Sequence, residues 1–221
     1  PADRLASVSE YYFSKKLKEV AQMNAEGKDV ISLGIGSPDM PPSEKTIETL
    51  CSNAHDPNGR GYQPYVGNPK LRKGFAAWYQ RWYGVELNPN TEIQPLIGSK
   101  EGILHVTLAF VNPGEQVLVP NPGYPTYTSL SKILGAEVIN YDLKEDENWM
   151  PDFEALERMD LSRVKLMWTN YPNMPTGANA TPELYGRLVD FARRKNIVIV
   201  NDNPYSFILN EKPISILSVP G

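Results

Sequence analysis

Residues 164–202 decide the fold of this chain, and they read VKLMWTNYPNMPTGANATPELYGRLVDFARRKNIVIVND. The apolar runs Val164–Trp168 and Ile197–Val200 are typical of buried strands. Between them, Thr181-Pro182-Glu183 has the pattern of a helix start, with a hydroxyl cap, a proline at the first helical position and an acid in the first turn. A strand, a helix and a second strand in this order predict two parallel strands joined by a crossover helix.

The same alternation extends through the rest of the chain. Helical patterns end at Gly27 and Gly84, and further strand candidates are Glu92–Ile97, Gln116–Val119 and Glu137–Tyr141. A helix after Gly98 is expected to turn its apolar residues inward, namely Ile103, Val106, Phe110 and Val111. We therefore predict an α/β fold, a three-layer α-β-α arrangement with a mainly parallel sheet.

Composition limits the possible partners and compartment. The 221 residues carry 22 basic and 26 acidic side chains, a net charge of −4, without a basic stripe. This balance argues against nucleic acid as a partner, and no apolar run is long enough to span a membrane. The single cysteine, Cys51, excludes an internal disulfide and fits a reducing compartment, so we expect a cytoplasmic protein. A hydrophobic content of 41% is enough for the core of one domain.

Four loop motifs each follow an apolar run. In a parallel α/β sheet, ligands bind beyond the carboxyl ends of the strands, so we expect these loops to converge on one site. The motifs are Gly98–Gly102 (GSKEG), Pro122–Tyr127 (PGYPTY), Asn170–Gly177 (NYPNMPTG) and Asp202–Tyr205 (DNPY).

The first motif has the chemistry of a phosphate cradle. A strand candidate runs into Gly98, and the backbone N–H groups of Ser99 and Lys100 then open a helix whose dipole favours an anion. The Ser99 hydroxyl adds a further donor. The alternative interpretation is an ordinary serine cap of the helix.

The second and fourth motifs offer partners for a planar ligand. Tyr124, held between Gly123 and Pro125, can stack on an aromatic ring, or it can be a core tyrosine at a turn. Asp202 follows a buried strand, where a carboxylate needs a cation or strong donors, and a protonated ring nitrogen is such a partner. A helix-capping or turn aspartate is the alternative. Tyr205 can aim its hydroxyl at the same ligand.

In this order, the motifs make the chain resemble the class I/II aminotransferases of pyridoxal 5'-phosphate (PLP) fold type I. The resemblance is greatest to the branch of LL-diaminopimelate, alanine and aspartate aminotransferases. It spans essentially the whole chain, from the N-terminal helix and Leu33–Asp39 (LGIGSPD) to the DNPY motif. It implies PLP as the cofactor. It also implies that residues 1–45 form an N-terminal arm and part of a small domain, and that residues 46–221 form a PLP-binding large domain without its C-terminal strands.

The resemblance assigns cofactor-binding roles to residues of these motifs. Ser99 and Lys100 would bind the PLP phosphate, and Tyr124 would stack on the pyridine face. Asp202 would pair with the pyridine nitrogen and keep it protonated. Tyr205 would donate a hydrogen bond to the phenolic oxygen.

Two further roles come from segments outside the four motifs. Tyr62 matches a family tyrosine that reaches the phosphate of the neighbouring subunit, so the resemblance implies a homodimer with shared active sites. The alternative for Tyr62 is a core aromatic that precedes a helix. The loop at Gly36 would lie beside the carboxylate of the substrate.

The chain departs from the family pattern at Met174. Family members usually have an asparagine immediately before Pro-Thr-Gly, where its amide contacts the phenolic oxygen of PLP. A methionine cannot donate this hydrogen bond. Asn173 or Asn170 is expected to take over the contact, and the sequence does not decide between them.

The second departure concerns the Schiff-base lysine, which in the family lies in a Ser-x-Ser-Lys-like segment after the DNPY position. The 221 residues contain no such segment, so we predict no catalytic residue in this chain. Lys100 would point at the phosphate end of the cofactor, and Lys212 is expected in a solvent-exposed turn. We therefore expect a fragment that is inactive by itself.

The resemblance implies transfer of an amino group between an L-amino acid and a 2-oxo acid. PLP-dependent C–S lyases and other fold type I enzymes share the same N-terminal motifs, so a lyase is an alternative. A non-catalytic PLP-fold sensor domain is another. The sequence does not identify the amino acid, and it predicts no metal site.

Overall fold

The computed structural model describes residues 2–6 and 10–221 and contains one five-stranded sheet, in the order β3-β2-β1-β4-β5. Strands β1, β2, β4 and β5 are parallel, and only β3 pairs antiparallel, with β2. The mainly parallel α/β fold predicted from the sequence is thus confirmed. The strands are β1 (Gln116–Asn121), β2 (Glu137–Lys144), β3 (Met150–Pro151), β4 (Val164–Asn170) and β5 (Val198–Asp202).

Seven α-helices lie within the described residues. They are α1 (Tyr12–Ala25), α2 (Glu44–Ala54), α3 (Pro69–Tyr83), α4 (Ser99–Phe110), α5 (Pro125–Ile133), α6 (Phe153–Arg158) and α7 (Pro182–Lys195).

Helices pack on both faces of the sheet because successive strand side chains point to opposite faces. In β1, Leu118 belongs to the core cluster that includes the buried side chains of α6 and α7. Its neighbours Val117 and Val119 belong to the other cluster, which includes Ile103 of α4 and Tyr127 of α5. The sheet is therefore the middle of three layers, as expected.

The β4-α7-β5 unit forms as the sequence predicts. The Thr181 hydroxyl accepts a hydrogen bond from the Leu184 N–H at 3.1 Å and so caps the start of α7. Leu188 and Phe191 are completely buried on the sheet side of the helix. Asn196 ends it in the left-handed conformation, with φ 54°. Strands β4 and β5 then pair in parallel along their length, from Leu166 beside Val198 to Asn170 beside Asp202.

Some sequence expectations were wrong. Residues 92–97 do not form a strand; they run as irregular chain into α4, because Pro95 has no N–H to give a ladder and no described strand lies beside them. Ile97 is fully exposed, and Phe110, expected to face inward on α4, is half exposed. Ile103 and Val111 are buried as predicted. Helices α2 and α6 were not identified from the sequence.

The chain divides into two compact units. One contains residues 2–6 and 66–221, with the whole sheet, and the other contains the described residues 10–65, with α1 and α2. The proposed domain boundary at residue 45 stays a prediction.

None of the described helices combines the length and the apolar character needed to cross a membrane. Within the described ranges, no three His, Cys, Asp or Glu side chains cluster as metal ligands.

Candidate functional site

The carboxyl ends of β4 and β5 meet at one pocket. Asn170, the last residue of β4, is in register with Asp202, the last residue of β5. The loops that follow these strands, the loop after β1 and the start of α4 enclose a cavity of about 210 Å³. Its lining residues are Ser99, Tyr124, Tyr127, Asn170, Met174, Asp202, Pro204 and Tyr205.

Asp202 is the carboxylate of the pocket. The Tyr127 hydroxyl donates to its Oδ2 at 2.8 Å, and the Asn170 amide donates to its backbone oxygen at 2.7 Å. Burial raises the pKa of Asp202, and the hydrogen bonds from Tyr127 and from the Asn203 N–H partly oppose this rise. Among the described residues that line the pocket, none is Lys, Arg or His, so no cation here compensates the buried charge.

Tyr124 is positioned by the tight loop after β1. It is the residue before Pro125, which starts α5, and its backbone is extended with φ −70° and ψ 122°. A side chain at Gly123 would collide with the backbone oxygen of Pro120, so only glycine fits there. The Tyr124 ring meets the Tyr127 ring edge to face, with centroids 5.6 Å apart. One face of Tyr124 is thus placed at the pocket by local backbone geometry.

Ser99 lies at the first position of α4, where N–H groups have no partner within the helix. The cap residue Gly98 provides no side-chain hydrogen bond. The Glu101 carboxylate reaches back to the Ile97 N–H at 2.7 Å and holds the entry loop in place. Lys100 is the next residue of α4, but it does not belong to the lining as the structure describes it. This end of the pocket suits an anionic group.

Two other sequence-predicted residues, Tyr62 and Gly36, lie in the unit of residues 10–65. Tyr62 is 88% exposed and packs edge to face on Tyr65, with centroids 6.4 Å apart. Gly36 is exposed in an irregular segment. Tyr205, in contrast, lines the pocket with Asp202. The structure therefore brings four of the eight predicted site residues together in one pocket.

Asn170 and Asn173 have different roles in the loop after β4. Asn170 lines the pocket, and its Oδ1 accepts a hydrogen bond from the Met174 N–H at 2.7 Å. Asn173 is buried within the loop, where its Oδ1 accepts from the Thr176 hydroxyl at 2.8 Å and its amide donates to the Asn170 carbonyl. It is missing from the pocket lining of the described chain. Met174 places a thioether in the pocket wall.

Sequence reasoning assigned no role to Tyr127. It lies in the PGYPTY motif, and it is completely buried between the pocket and Trp168. Burial, reinforced by the neighbouring Asp202 carboxylate, raises the pKa of its hydroxyl far above the usual value, so the group stays protonated and donates. The available signal was its position, three residues after Tyr124 in the first turn of a helix that starts at a strand exit.

The donor set fits PLP in chemical terms. A helix start that favours an anion, the ring of Tyr124 and a partly buried carboxylate line one pocket, and none of the described lining residues is a cation. These groups match a phosphate, a planar ring and a protonated ring nitrogen. The match rests on the chemistry of Ser99, Tyr124 and Asp202 and does not require any residue from outside this unit.

Comparison with known proteins agrees with the resemblance to the aminotransferases. The family model for aminotransferase class I and II matches residues 28–218. The LL-diaminopimelate aminotransferase of Dehalococcoides mccartyi is 44% identical over 99% of this chain and 57% of that protein. The enzyme of the same name from Aquifex aeolicus is 43% identical over 100% of this chain and 57% of that protein. The chain thus spans somewhat more than half the length of these relatives.

Solved structures share the fold. The apo-BacF structure from Bacillus subtilis has a TM-score of 0.91 and 36% identity, covering 99% of this chain and 56% of that one. The alanine aminotransferase from Pyrococcus furiosus has a TM-score of 0.89 and 28% identity, covering 100% and 56%. Since the family model covers most of the sequence and the fold agrees, this chain belongs to the class I and II aminotransferases.

Proposed function

We propose that this chain forms the PLP-binding part of an aminotransferase that moves an amino group between an L-amino acid and a 2-oxo acid. Class I and II aminotransferases depend on PLP. The observation that supports the proposal is the meeting of Ser99, Tyr124, Asp202 and Tyr205 in one pocket at the carboxyl ends of the strands. The lyase and sensor alternatives receive no support from the relatives.

Asp202 is proposed to hold the pyridine nitrogen of PLP in its protonated form. Its carboxylate is ionised when a cation lies beside it, and a buried ion pair of this kind is strong because little water screens it. When bound, PLP supplies an electron-accepting ring that weakens the bonds at the amino-bearing carbon of the substrate. The task of Asp202 is to keep the proton on the ring nitrogen throughout the reaction.

The other pocket residues are proposed to orient the same cofactor. The first turn of α4, with Ser99 and Lys100, would bind the phosphate. Tyr124 would stack on the ring, and Tyr205 would donate to the phenolic oxygen. Because the Asn173 amide is engaged within its own loop, we propose that Asn170 is the asparagine nearest the cofactor. Met174 would contribute only an apolar contact.

Catalysis also needs an amine that moves a proton to and from the substrate carbon. The described residues that line the pocket include no lysine. We therefore propose that a chain of residues 1–221 alone binds PLP weakly and gives no measurable turnover. Sustained transamination by that chain would contradict this point.

Further proposals concern the substrate and the assembly. Relatives named LL-diaminopimelate aminotransferase make LL-diaminopimelate the first amino donor to test. We infer a cytoplasmic homodimer in which Tyr62 acts across the subunit interface. The exposure of Tyr62 and Tyr65 supports this inference, because such large rings are usually covered in a working assembly.

The test is a titration of PLP into the protein as its gene encodes it, followed by absorbance and combined with a screen of amino donors. We expect binding by the wild-type protein and at least a hundredfold weaker binding by Asp202→Asn, about 3 kcal/mol for the loss of a buried ion pair. Asp142→Asn is the matched control, since Asp142 lies in β2, pairs with Asn121 and does not line the pocket. Equal PLP affinity of the wild-type and D202N proteins would refute the proposal.

A further inference from the structure

Tyr127 connects the pocket to the core of the protein. Its ring is stacked on that of Trp168 in β4, with centroids 5.1 Å apart and planes within 5° of parallel. It contacts the Tyr124 ring edge to face, and its hydroxyl donates to Asp202 at 2.8 Å. A single side chain from α5 therefore touches the aromatic face of the pocket, its carboxylate and the buried face of the sheet.

We infer that Tyr127 is a positioning residue that fixes both the Asp202 carboxylate and the Tyr124 ring for the ligand of this pocket. The inference deepens the proposed function and rests on it for the identity of that ligand as PLP. Tyr127 itself is completely buried, so it acts through Asp202 and Tyr124 and does not need to touch the cofactor.

The position of the hydroxyl is fixed by the packing of its ring. The completely buried Tyr127 ring stacks on Trp168 and contacts the Tyr124 ring at a steep angle. The hydroxyl therefore donates to one carboxylate oxygen, Oδ2, and holds that oxygen in place. A phenylalanine would keep the ring contacts and lose only this hydrogen bond.

The hydrogen bond also affects the pKa of Asp202, which burial raises. A donor to a carboxylate favours its charged form, so Tyr127 opposes the effect of burial, which raises the pKa. The other titratable side chains that line the pocket, among the described residues, are Tyr124 and Tyr205. Both are tyrosines, so Asp202 is the one carboxylic acid among the described lining residues.

The experiment compares Tyr127→Phe with Tyr141→Phe. Tyr141 is equally buried, and its hydroxyl donates to the Trp168 carbonyl at 2.7 Å, but it does not line the pocket. The pKa of Asp202 is read by carbon NMR of its carboxyl in the protein without PLP, with the signal assigned by D202N. In Y127F we expect it to rise by about one unit or more, the effect of losing one charge-assisted hydrogen bond. In Y141F it should not move.

The second measurement is the PLP dissociation constant as a function of pH. In Y127F we expect it to increase about tenfold, because the carboxylate is no longer held in place by this hydrogen bond. The pH below which binding weakens should move upward by the same amount as the pKa of the carboxyl. Y141F controls for the general effect of losing a buried hydroxyl. Should Y127F fold poorly, the Tyr127 Cζ signal of the wild-type protein is followed instead. It should respond to the titration of Asp202, and the response should vanish in D202N.

The outcomes separate this inference from the proposed function. An unchanged Asp202 pKa in Y127F, or the same shift in Y141F, would overturn the inference while leaving PLP binding intact. If the Tyr127 signal of the wild-type protein does not change as Asp202 titrates, the inference is overturned as well. If D202N binds PLP as tightly as the wild-type protein, the proposed function fails. The NMR measurement, made without PLP, still decides whether Tyr127 fixes the carboxylate.

Discussion

At the scale of single residues, Asp202 gives the clearest indication of what the pocket binds. Folding places its carboxylate at the end of β5 in a partly buried pocket, and the described lining residues offer hydroxyl and amide groups but no cation. Such a group opposes folding unless a ligand compensates its charge. The same residue should therefore weaken the protein without PLP and strengthen it with PLP.

We predict that Asp202→Asn stabilises the protein without PLP. The pKa of Asp202 is raised in the folded state, so folding favours the protonated form and stability falls as pH rises from the ordinary aspartate range through the raised pKa. Asparagine keeps the size and does not titrate. In urea unfolding, the advantage of D202N over wild type should be larger at about pH 8 than at about pH 4.

A pH-independent difference between the two proteins would contradict this assignment of charge. With saturating PLP the order should reverse, because the ligand stabilises only the protein that binds it tightly. The Asp142→Asn variant should behave like wild type in both conditions, since Asp142 is exposed and lies outside the pocket.

Individual residues also show what the sequence could and could not predict. The motifs identified Tyr124 and Asp202 because strand exits converge in any parallel α/β sheet. The role of Tyr127 depends on the angle at which α5 leaves its loop and on the Trp168 ring below it, and neither is encoded in local spacing. Asn173 and Asn170 could not be distinguished because the loop direction after β4 depends on hydrogen bonds between the loop's own residues.

At the scale of elements, the loop between β1 and α5 has no room for a side chain at Gly123. Gly123 precedes Tyr124, and an added Cβ would meet the Pro120 backbone, which cannot move away like a flexible side chain. We predict that Gly123→Ala destabilises the protein by about 1–3 kcal/mol, as for overpacking in a core. It should also weaken PLP binding, because the Tyr124 ring shifts with the loop. Urea unfolding and PLP titration measure the two effects.

Gly186→Ala is the matched control within α7. An added Cβ there meets nothing within 4 Å, and alanine is favoured over glycine inside a helix. This variant should be more stable by about 0.5–1 kcal/mol and should bind PLP unchanged. If Gly123→Ala were as harmless as Gly186→Ala, the close contact with Pro120 would not exist in solution.

The elements that the sequence predicted well are those with local signals. The β4-α7-β5 unit has a capping threonine, a proline at the first helical position and continuous apolar strands, and it forms as predicted. Residues 92–97 have an apolar pattern but failed as a strand, because strand formation requires a partner and Pro95 removes a donor. Pairing is a property of the sheet and cannot be read from one segment.

At the scale of the whole molecule, several large apolar side chains of the described residues are exposed. Trp78 and Trp82 of α3 pack on Phe207, with ring centroids 5.1 and 5.3 Å away, and all three remain more than 40% exposed. Leu209, two residues after Phe207, is fully exposed. These features agree with the proposed assembly of two chains.

We predict that two inactive variants restore activity when mixed. If Tyr62 of one subunit serves the pocket that contains Asp202 of the other, co-expressed Tyr62→Phe and Asp202→Asn chains form heterodimers with one intact site. Random pairing gives about a quarter of the wild-type number of sites. Transaminase activity of the mixture measures this. A mixture of D202N with the double variant Y62F/D202N has no intact site and is the control. Activity no higher than in that control would contradict shared sites.

The most direct test of the account is a crystal structure of the protein with PLP bound. We predict the ring against Tyr124, its nitrogen within hydrogen-bond distance of the Asp202 carboxylate, and the phosphate at the first turn of α4 beside Ser99. PLP bound elsewhere, or bound with its ring nitrogen away from Asp202, would contradict the central claim.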